Sequence, residues 1–340
     1  MSLKELYENN DISRIEEKFS LVHLPNPTDR SDFHIFQGKY PLEPFRDGAR
    51  GTYGGEFASQ GLMAAWESVK DPSMSPHSFH SYFVKAGSIE SPIRWEVQEA
   101  SNGKNYCNRL VQGYQSHTNK LVYTLQASFV KNNSYKSREL LTNESKLSLQ
   151  RKPQQAFYKY KDILDDLNYV EHTHDLIQHI VPKEFFKQDL NLNLEERGNT
   201  EFGFFVRIND DLSKAKNQLK TKLSQVTYLS DSFYLGTLSK GLGLPIIGHH
   251  FDTLNFFRVS LDHSVYFHDV DFDPTEWLFL DYRFSRLNND RVLCQCQIFT
   301  LKGEMVVSIT QEGLVHFEKE FIESVKQASS NTKSEAGAKL

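Results

Sequence analysis

Side chains able to do chemistry are spread thinly along this chain, and one carboxylate stands apart from the rest. The segment Lys222-Leu-Ser-Gln-Val-Thr-Tyr-Leu-Ser-Asp-Ser-Phe-Tyr-Leu-Gly236 sets Asp231 among Tyr228, Leu229, Phe233 and Leu235. A partly desolvated acid at the edge of an apolar core needs a reason: it is either a hydrogen-bonded structural aspartate holding loops together or a functional group. Histidines offer a second route. His80, His263 and His268 lie in strand patterns, where imidazoles commonly serve structure, and Asp262-His263 and His268-Asp269 lack the helical i, i+4 spacing of a typical zinc site. No Gly-x-Ser-x-Gly elbow is present, which disfavours a serine nucleophile with an acyl-enzyme intermediate. Cys107, Cys294 and Cys296 are odd in number and form no CxxC, so neither a disulfide framework nor a metal is expected, and no cofactor is called for.

The elements that must carry Asp231 follow from periodicity. Leu212, Leu219, Leu223, Val226, Tyr228, Leu229 and Phe233 recur at three, four and seven, predicting one long helix with Asp210 or Asp211 placed to cap its start. An earlier helix follows Gly51-Thr-Tyr-Gly-Gly55, with Phe57, Ala58, Gly61, Leu62, Ala65, Trp66 and Val69 as its buried stripe and Asp71-Pro72 ending it. Four strand-like runs come next, at about 77–85, 92–100, 104–116 and 120–131, and the alternation of Leu121, Tyr123, Leu125, Ala127 and Phe129 is strict.

The second half repeats the plan. A strand at 201–207 precedes the Asp231 helix, and strand runs follow at about 253–267, 276–286, 291–300 and 304–316. Aligned strings set Phe79-His-Ser-Tyr-Phe83 against Asp262-His-Ser-Val-Tyr266, Trp95 against Trp277, and Val122-Tyr-Thr-Leu-Gln126 against Val307-Ser-Ile-Thr-Gln311, at nearly constant offset. The expected organisation is an N-terminal repeat over 12–131, a polar connecting segment over 132–199, a C-terminal repeat over 200–320 and a flexible tail over 327–340. One long helix and a curved antiparallel sheet, used twice, suggest an α+β double hotdog in which each sheet wraps its helix and the sheet edges join.

Composition excludes several roles. With 39 basic and 44 acidic residues, net charge −5, the chain has no basic footprint for nucleic acid, and no apolar run is long enough for a membrane span. The first eleven residues are too polar and acidic for a signal peptide. The chain ends in Ala338-Lys339-Leu340, close to the Ser-Lys-Leu peroxisomal address, so the expected location is the peroxisomal matrix and the expected partner is the import receptor.

Tyr228-Leu-Ser-Asp231, Ser260-Leu-Asp-His-Ser264 and Thr310-Gln-Glu-Gly313, with Tyr53-Gly-Gly55 and His77-Ser-Phe-His-Ser-Tyr-Phe83, resemble the acyl-CoA thioesterase II family, which includes peroxisomal members. The resemblance covers roughly 12–131 and 200–317 and implies a double hotdog that hydrolyses acyl-CoA to free fatty acid and CoA. It also implies a catalytic set from the second repeat: Asp231, Ser260 where many members have Thr, and Gln311. Such a set suits the chemistry: an acid takes the proton of an attacking water, while a hydroxyl and an amide, each donor and acceptor, hold that water in one orientation. Gln311 alternates with Val307 and Ile309 and so points toward the helix.

The first repeat keeps Gln126 opposite Gln311 but has no matching Asp, so it is expected to form part of the acyl channel or CoA surface, with Gly54, Gly55 and His80 as substrate-binding candidates. Further self-association into a homo-oligomer is compatible with this plan. Two rivals remain at this stage: an enoyl-CoA hydratase-like enzyme of the same fold, for which no Asp-x-Asn-x-x-His string is present, and an inactive acyl-CoA-binding protein.

Overall fold

A computed structural model describes residues 11–45, 49, 51–142, 147–164, 169–174, 176–182, 197–200, 202–232, 235–242, 256–320, 322, 323 and 326. Phe233 and the tail tripeptide lie outside these residues.

The strands are β1 (Leu21–Leu24), β2 (Phe33–Gly38), β3 (Met74–Phe83), β4 (Ile93–Asn102), β5 (Tyr106–Gln115), β6 (Lys120–Lys131), β7 (Tyr169–His174), β8 (Ile177–Pro182), β9 (Phe202–Ile208), β10 (Phe256–Ser260), β11 (Asp262–Phe267), β12 (Leu278–Asn288), β13 (Arg291–Thr300) and β14 (Met305–Phe317). All join one sheet in the order β1-β2-β4-β5-β6-β3-β11-β14-β13-β12-β9-β8-β7, with β10 also paired to β14. The order reads the same outward from the β3–β11 seam, β6-β5-β4-β2-β1 on one side and β14-β13-β12-β9-β8 on the other. Each half holds one long helix, Gly54–Glu67 and Gln218–Leu229, and the two helices lie against each other inside the curve of the sheet. Their approach is close: Ser59 Oγ donates to the Ser224 carbonyl at 2.6 Å, and a Cβ on Gly55 would stand 2.2 Å from the Tyr228 carbonyl oxygen. The protein is the double hotdog that the sequence predicts.

Several expectations change. The polar stretch expected to be a connection contributes β7 and β8, which pair with each other, and β8 pairs with β9, so they extend the sheet. Upstream, residues 147–164 lie over the outer face of the second half, where Phe157, Tyr160 and Leu164 form a small core with Ile180, Phe205, Phe279 and Phe299. Gln154 and Arg151 meet the buried Asp281 carboxylate there. The Asp231 helix is also shorter than its apolar stripe. Asn217 caps it, accepting from the Lys220 N–H at 3.1 Å, while Asp211 caps only a 3₁₀ turn at Leu212–Lys214. Asp210 instead receives Ser13 Oγ and the N–H groups of Arg14 and Ile15, which tie a short N-terminal helix, Arg14–Lys18, to the second half.

The residue-by-residue matches between halves are out of step with the pleat. His80 and Gln126 lie on the exposed outer face, whereas His263 and Gln311 are fully buried on the inner one. Trp95 is in the inner core, and Trp277 lies outside under the Arg207 guanidinium. The duplication is one of element order and pairing. A one-residue difference in bulge placement reverses which face a given string presents.

Candidate active site

Asp231 lies two residues beyond the last helical residue, in a turn closed by Ser230 N–H to the Thr227 carbonyl at 3.2 Å and Ser232 N–H to the Leu229 carbonyl at 2.9 Å. Both flanking serines are held by buried histidines: Ser230 Oγ meets His263 Nε2 at 2.7 Å, and Ser232 Oγ meets His179 Nε2. Tyr282 Oη donates to the Ser232 carbonyl at 2.7 Å. The acid-bearing turn is therefore fixed on both sides, which leaves its carboxylate one direction to face.

That direction is toward Gln311 and the first repeat. Gln311 Nε2 donates to Asp231 Oδ1 at 2.8 Å and to Ser260 Oγ at 2.7 Å, and its Oε1 lies 2.7 Å from His263 Nδ1. Asp231 also accepts the backbone N–H groups of Gly55 and Gly54, at the N-terminus of the first long helix. The positive end of that helix dipole favours the carboxylate. Burial is the larger effect: it raises Asp231 to about 7, and the bonds from Gln311, Gly55 and Gly54 offset it only in part. Asp231 nonetheless keeps some surface open to solvent. Tyr53, Tyr123 and Tyr282 face it as neutral phenols, each with its pKa raised by burial.

Ser260 reaches this group because the strand breaks beside it. Ser260 lies opposite Gly313 and Ser264 opposite Thr310, so four steps along β10–β11 span three along β14. The extra residue, around Leu261, brings both Ser260 and His263 to the inner side, although a spacing of three would place them on opposite faces of a regular strand. Ser260 is therefore the last residue of β10.

Asp231, Ser260 and Gln311 thus converge. Gly54 and Gly55 are here too, but they hold the carboxylate; a Cβ on Gly54 would stand 2.5 Å from Asp231 Oδ2. The acid is consequently shared between repeats instead of belonging to the second alone. His80 is elsewhere. It projects from the outer face, 3.0 Å from Ser264 Oγ and edge-on to Tyr266, because Phe79 and Ser81 take the inward positions of β3. Sequence reasoning gave His263 no part in this group, although Asp262-His-Ser264 begins just two residues after Ser260. Burial lowers His263 to about 4, so the imidazole is neutral. Among the described residues no cluster of three or more potential metal ligands occurs.

Two family descriptions match consecutive parts of the chain: "Acyl-CoA thioesterase N-terminal domain" over residues 42–130 and "Acyl-CoA thioesterase C-terminal domain" over 167–315. The peroxisomal acyl-coenzyme A thioester hydrolase 1 of Saccharomyces cerevisiae is 28% identical, the match spanning 91% of this chain and 96% of that one. Human acyl-coenzyme A thioesterase 8 is 24% identical over 86% and 88% of the respective chains. Among solved structures, the acyl-CoA thioesterase II TesB2 of Mycobacterium marinum shares the fold with a TM-score of 0.63, at 22% identity over 90% of this chain and 98% of that one. Fold and relationship together define a double-hotdog thioester hydrolase. Within that class, the chain belongs to the acyl-CoA thioesterase II family.

Proposed function

We propose that the protein hydrolyses fatty acyl-CoA to free fatty acid and CoA by direct attack of water, with Asp231 as the base, and that it does so in peroxisomes. The observation that carries this reading is the Gln311 amide, whose two N–H groups bridge a carboxylate held near neutrality and the Ser260 hydroxyl. With Ser260 Oγ accepting from Gln311, its own hydrogen is available to orient a water beside Asp231. Asp231 takes the water proton as the oxygen adds to the thioester carbonyl carbon. The C–S bond then breaks, and the proton passes from Asp231 to the departing sulfur. The names of the yeast and human relatives support the substrate, and the yeast name together with Ala338-Lys339-Leu340 supports the location.

Steady-state release of free thiol from a long-chain acyl-CoA tests the activity: a binding protein gives none, and a hydratase acts only on the 2-enoyl form. Asp231→Asn should lower turnover by about 10²- to 10⁴-fold, the usual worth of a positioned base, while substrate affinity and folding persist. Parent-like turnover in that variant removes Asp231 as the base.

A further inference from the structure

We propose that Phe83, at the end of β3 in the first repeat, is the apolar wall of the reaction site: its ring touches the acyl chain beside the thioester and screens Asp231 from bulk water. The inference rests on the reading of Asp231 as the base in fatty acyl-CoA hydrolysis and adds to it a residue that contacts the substrate. Phe79, Ser81 and Phe83 alternate along β3, and the first two are buried on the inner face, so the Phe83 ring points the same way. Its position is fixed from two sides. The Phe83 N–H donates to the Leu261 carbonyl at 2.9 Å, which ties the end of β3 to the bulge that turns Ser260 inward. The ring itself packs on that of Tyr123, 5.3 Å away between centroids.

The free edge of that ring meets the acid. A Cβ built on Gly54 would stand 2.8 Å from Phe83 Cζ, 2.9 Å from its Cε1 and 2.5 Å from Asp231 Oδ2. Ring edge and carboxylate oxygen therefore flank one point, and glycine at position 54 puts no side chain between them. Exposure separates Phe83 from the other rings nearby. Tyr53, Tyr123 and Tyr282 are at most 6% exposed, whereas Phe83, Gly54, Asp231 and Ser260 each keep some surface. Those four form the side of the group that a ligand can reach, and Phe83 is the apolar member.

Leu235 bounds the other side. It is also partly exposed, and its Cδ2 would lie 2.6 Å from a Cβ on Gly313, the residue paired with Ser260. Carboxylate, hydroxyl and amide are thus bordered by an aromatic edge beside the acid and a leucine beside the hydroxyl. Methylenes next to a thioester gain from leaving water for such a border. The same ring acts on the acid, because water on the open side of a carboxylate favours its charged form and an aromatic edge in that place keeps water away. The titratable groups facing Asp231 are Tyr53 at the start of the first long helix, Tyr123 on β6 and Tyr282 on β12, with His263 behind Gln311. All four are neutral at pH 7, so the acid's hydration can change without a neighbouring charge changing.

The test compares Phe83→Ala, which removes the wall, with Phe83→Tyr, which keeps the ring and adds a hydroxyl at Cζ, on the edge that faces Gly54 and the acid. Free-thiol release from a long-chain saturated acyl-CoA is followed from pH 5 to 9 in full-length protein, with thermal melts alongside. For Phe83→Ala the expected result is a kcat/KM lower by roughly 10- to 100-fold, the range that lost apolar contact spans, most of it in KM. The midpoint of its acid limb should fall by roughly 0.5–1 pH unit, since hydration now favours the ionised acid. Phe83→Tyr should lower the midpoint as well, its hydroxyl donating to the carboxylate, and should raise KM while melting as the parent does.

A ring that serves only the core gives another pattern: the melting temperature of Phe83→Ala falls while KM and the midpoint stay at parent values. That result overturns the proposal, as do parent values of both in Phe83→Tyr. If the alanine variant does not fold, the tyrosine variant decides alone, a raised KM with a lowered midpoint supporting the proposal and parent values overturning it. Failure of Asp231 as the base is a separate result, read as turnover in Asp231→Asn whatever stands at position 83.

Discussion

Gly54→Ala is the sharpest probe of the claim that the first repeat holds the base. The new methyl would stand 2.5 Å from Asp231 Oδ2 and 2.8 Å from the Phe83 ring edge, where ordinary contact begins near 3.4 Å. The carboxylate must therefore retreat by about 1 Å, out of reach of the Gly54 and Gly55 N–H groups. Misplacing a reacting group by that distance costs on the order of 10²-fold in rate. Gly54 is not in the left-handed region and lies within the helix, where alanine is the better helix former by roughly 0.5–1 kcal/mol, so backbone strain adds nothing. The expected phenotype is a kcat about 100-fold lower with the protein still folded. Steady-state thiol release and a thermal melt measure it, with Gly61→Ala as a control that tightens the same helix against Trp95 without approaching Asp231. A folded Gly54→Ala enzyme with parent-like kcat would refute both the shared acid and the distances behind it.

The remaining expectations are briefer. As the proposed base, Asp231 acts ionised, and burial raises it to about 7, so kcat should fall about tenfold per pH unit below neutrality and level off above it; a flat profile between pH 5 and 8 contradicts this. The linked effect on stability has the opposite sense. The folded carboxyl binds its proton more tightly than the unfolded one at 3.8, so its contribution is full below that value and declines as pH rises through about 7, a slope that Asp231→Asn should flatten in denaturant titrations. Phe157→Ala, truncating a side chain only 2% exposed beneath the outer face, should cost about 3–5 kcal/mol in unfolding experiments yet leave kcat per folded molecule unchanged, because the site is on the other side of the sheet. Deleting Leu340 should leave the protein in the cytosol when no intact copy is present to carry it, and microscopy of a tagged chain reads this directly.

What the sequence conveyed, and what it hid, follows from how strands encode direction. The apolar stripe around Tyr228 and Leu229 placed Asp231 at a core edge, and the alternation of Val307, Ile309 and Gln311 gave the correct inward face, because β14 runs without a bulge from Val307 to Gln311. Where a bulge intervenes, the same reasoning fails. β3 is shifted against β6 between Pro76 and Ser78, and the β10–β11 break falls near Leu261, so matching strings from the two repeats end on opposite faces and His80 exchanges sides with His263. β7 and β8 were illegible for a different reason. Strands near the end of a sheet need no apolar inner row along their whole length, and Glu171-His-Thr-His174 has no alternation to read. The deepest gap concerns the first repeat, expected to have lost its chemistry because its helix carries no acid. Its contribution is made by backbone N–H groups at a helix N-terminus, and peptide groups leave no mark on residue type except the absence of a side chain where one would collide. Gly54 and Gly55 are that mark, which means the double hotdog needs both of its halves to hold one carboxylate.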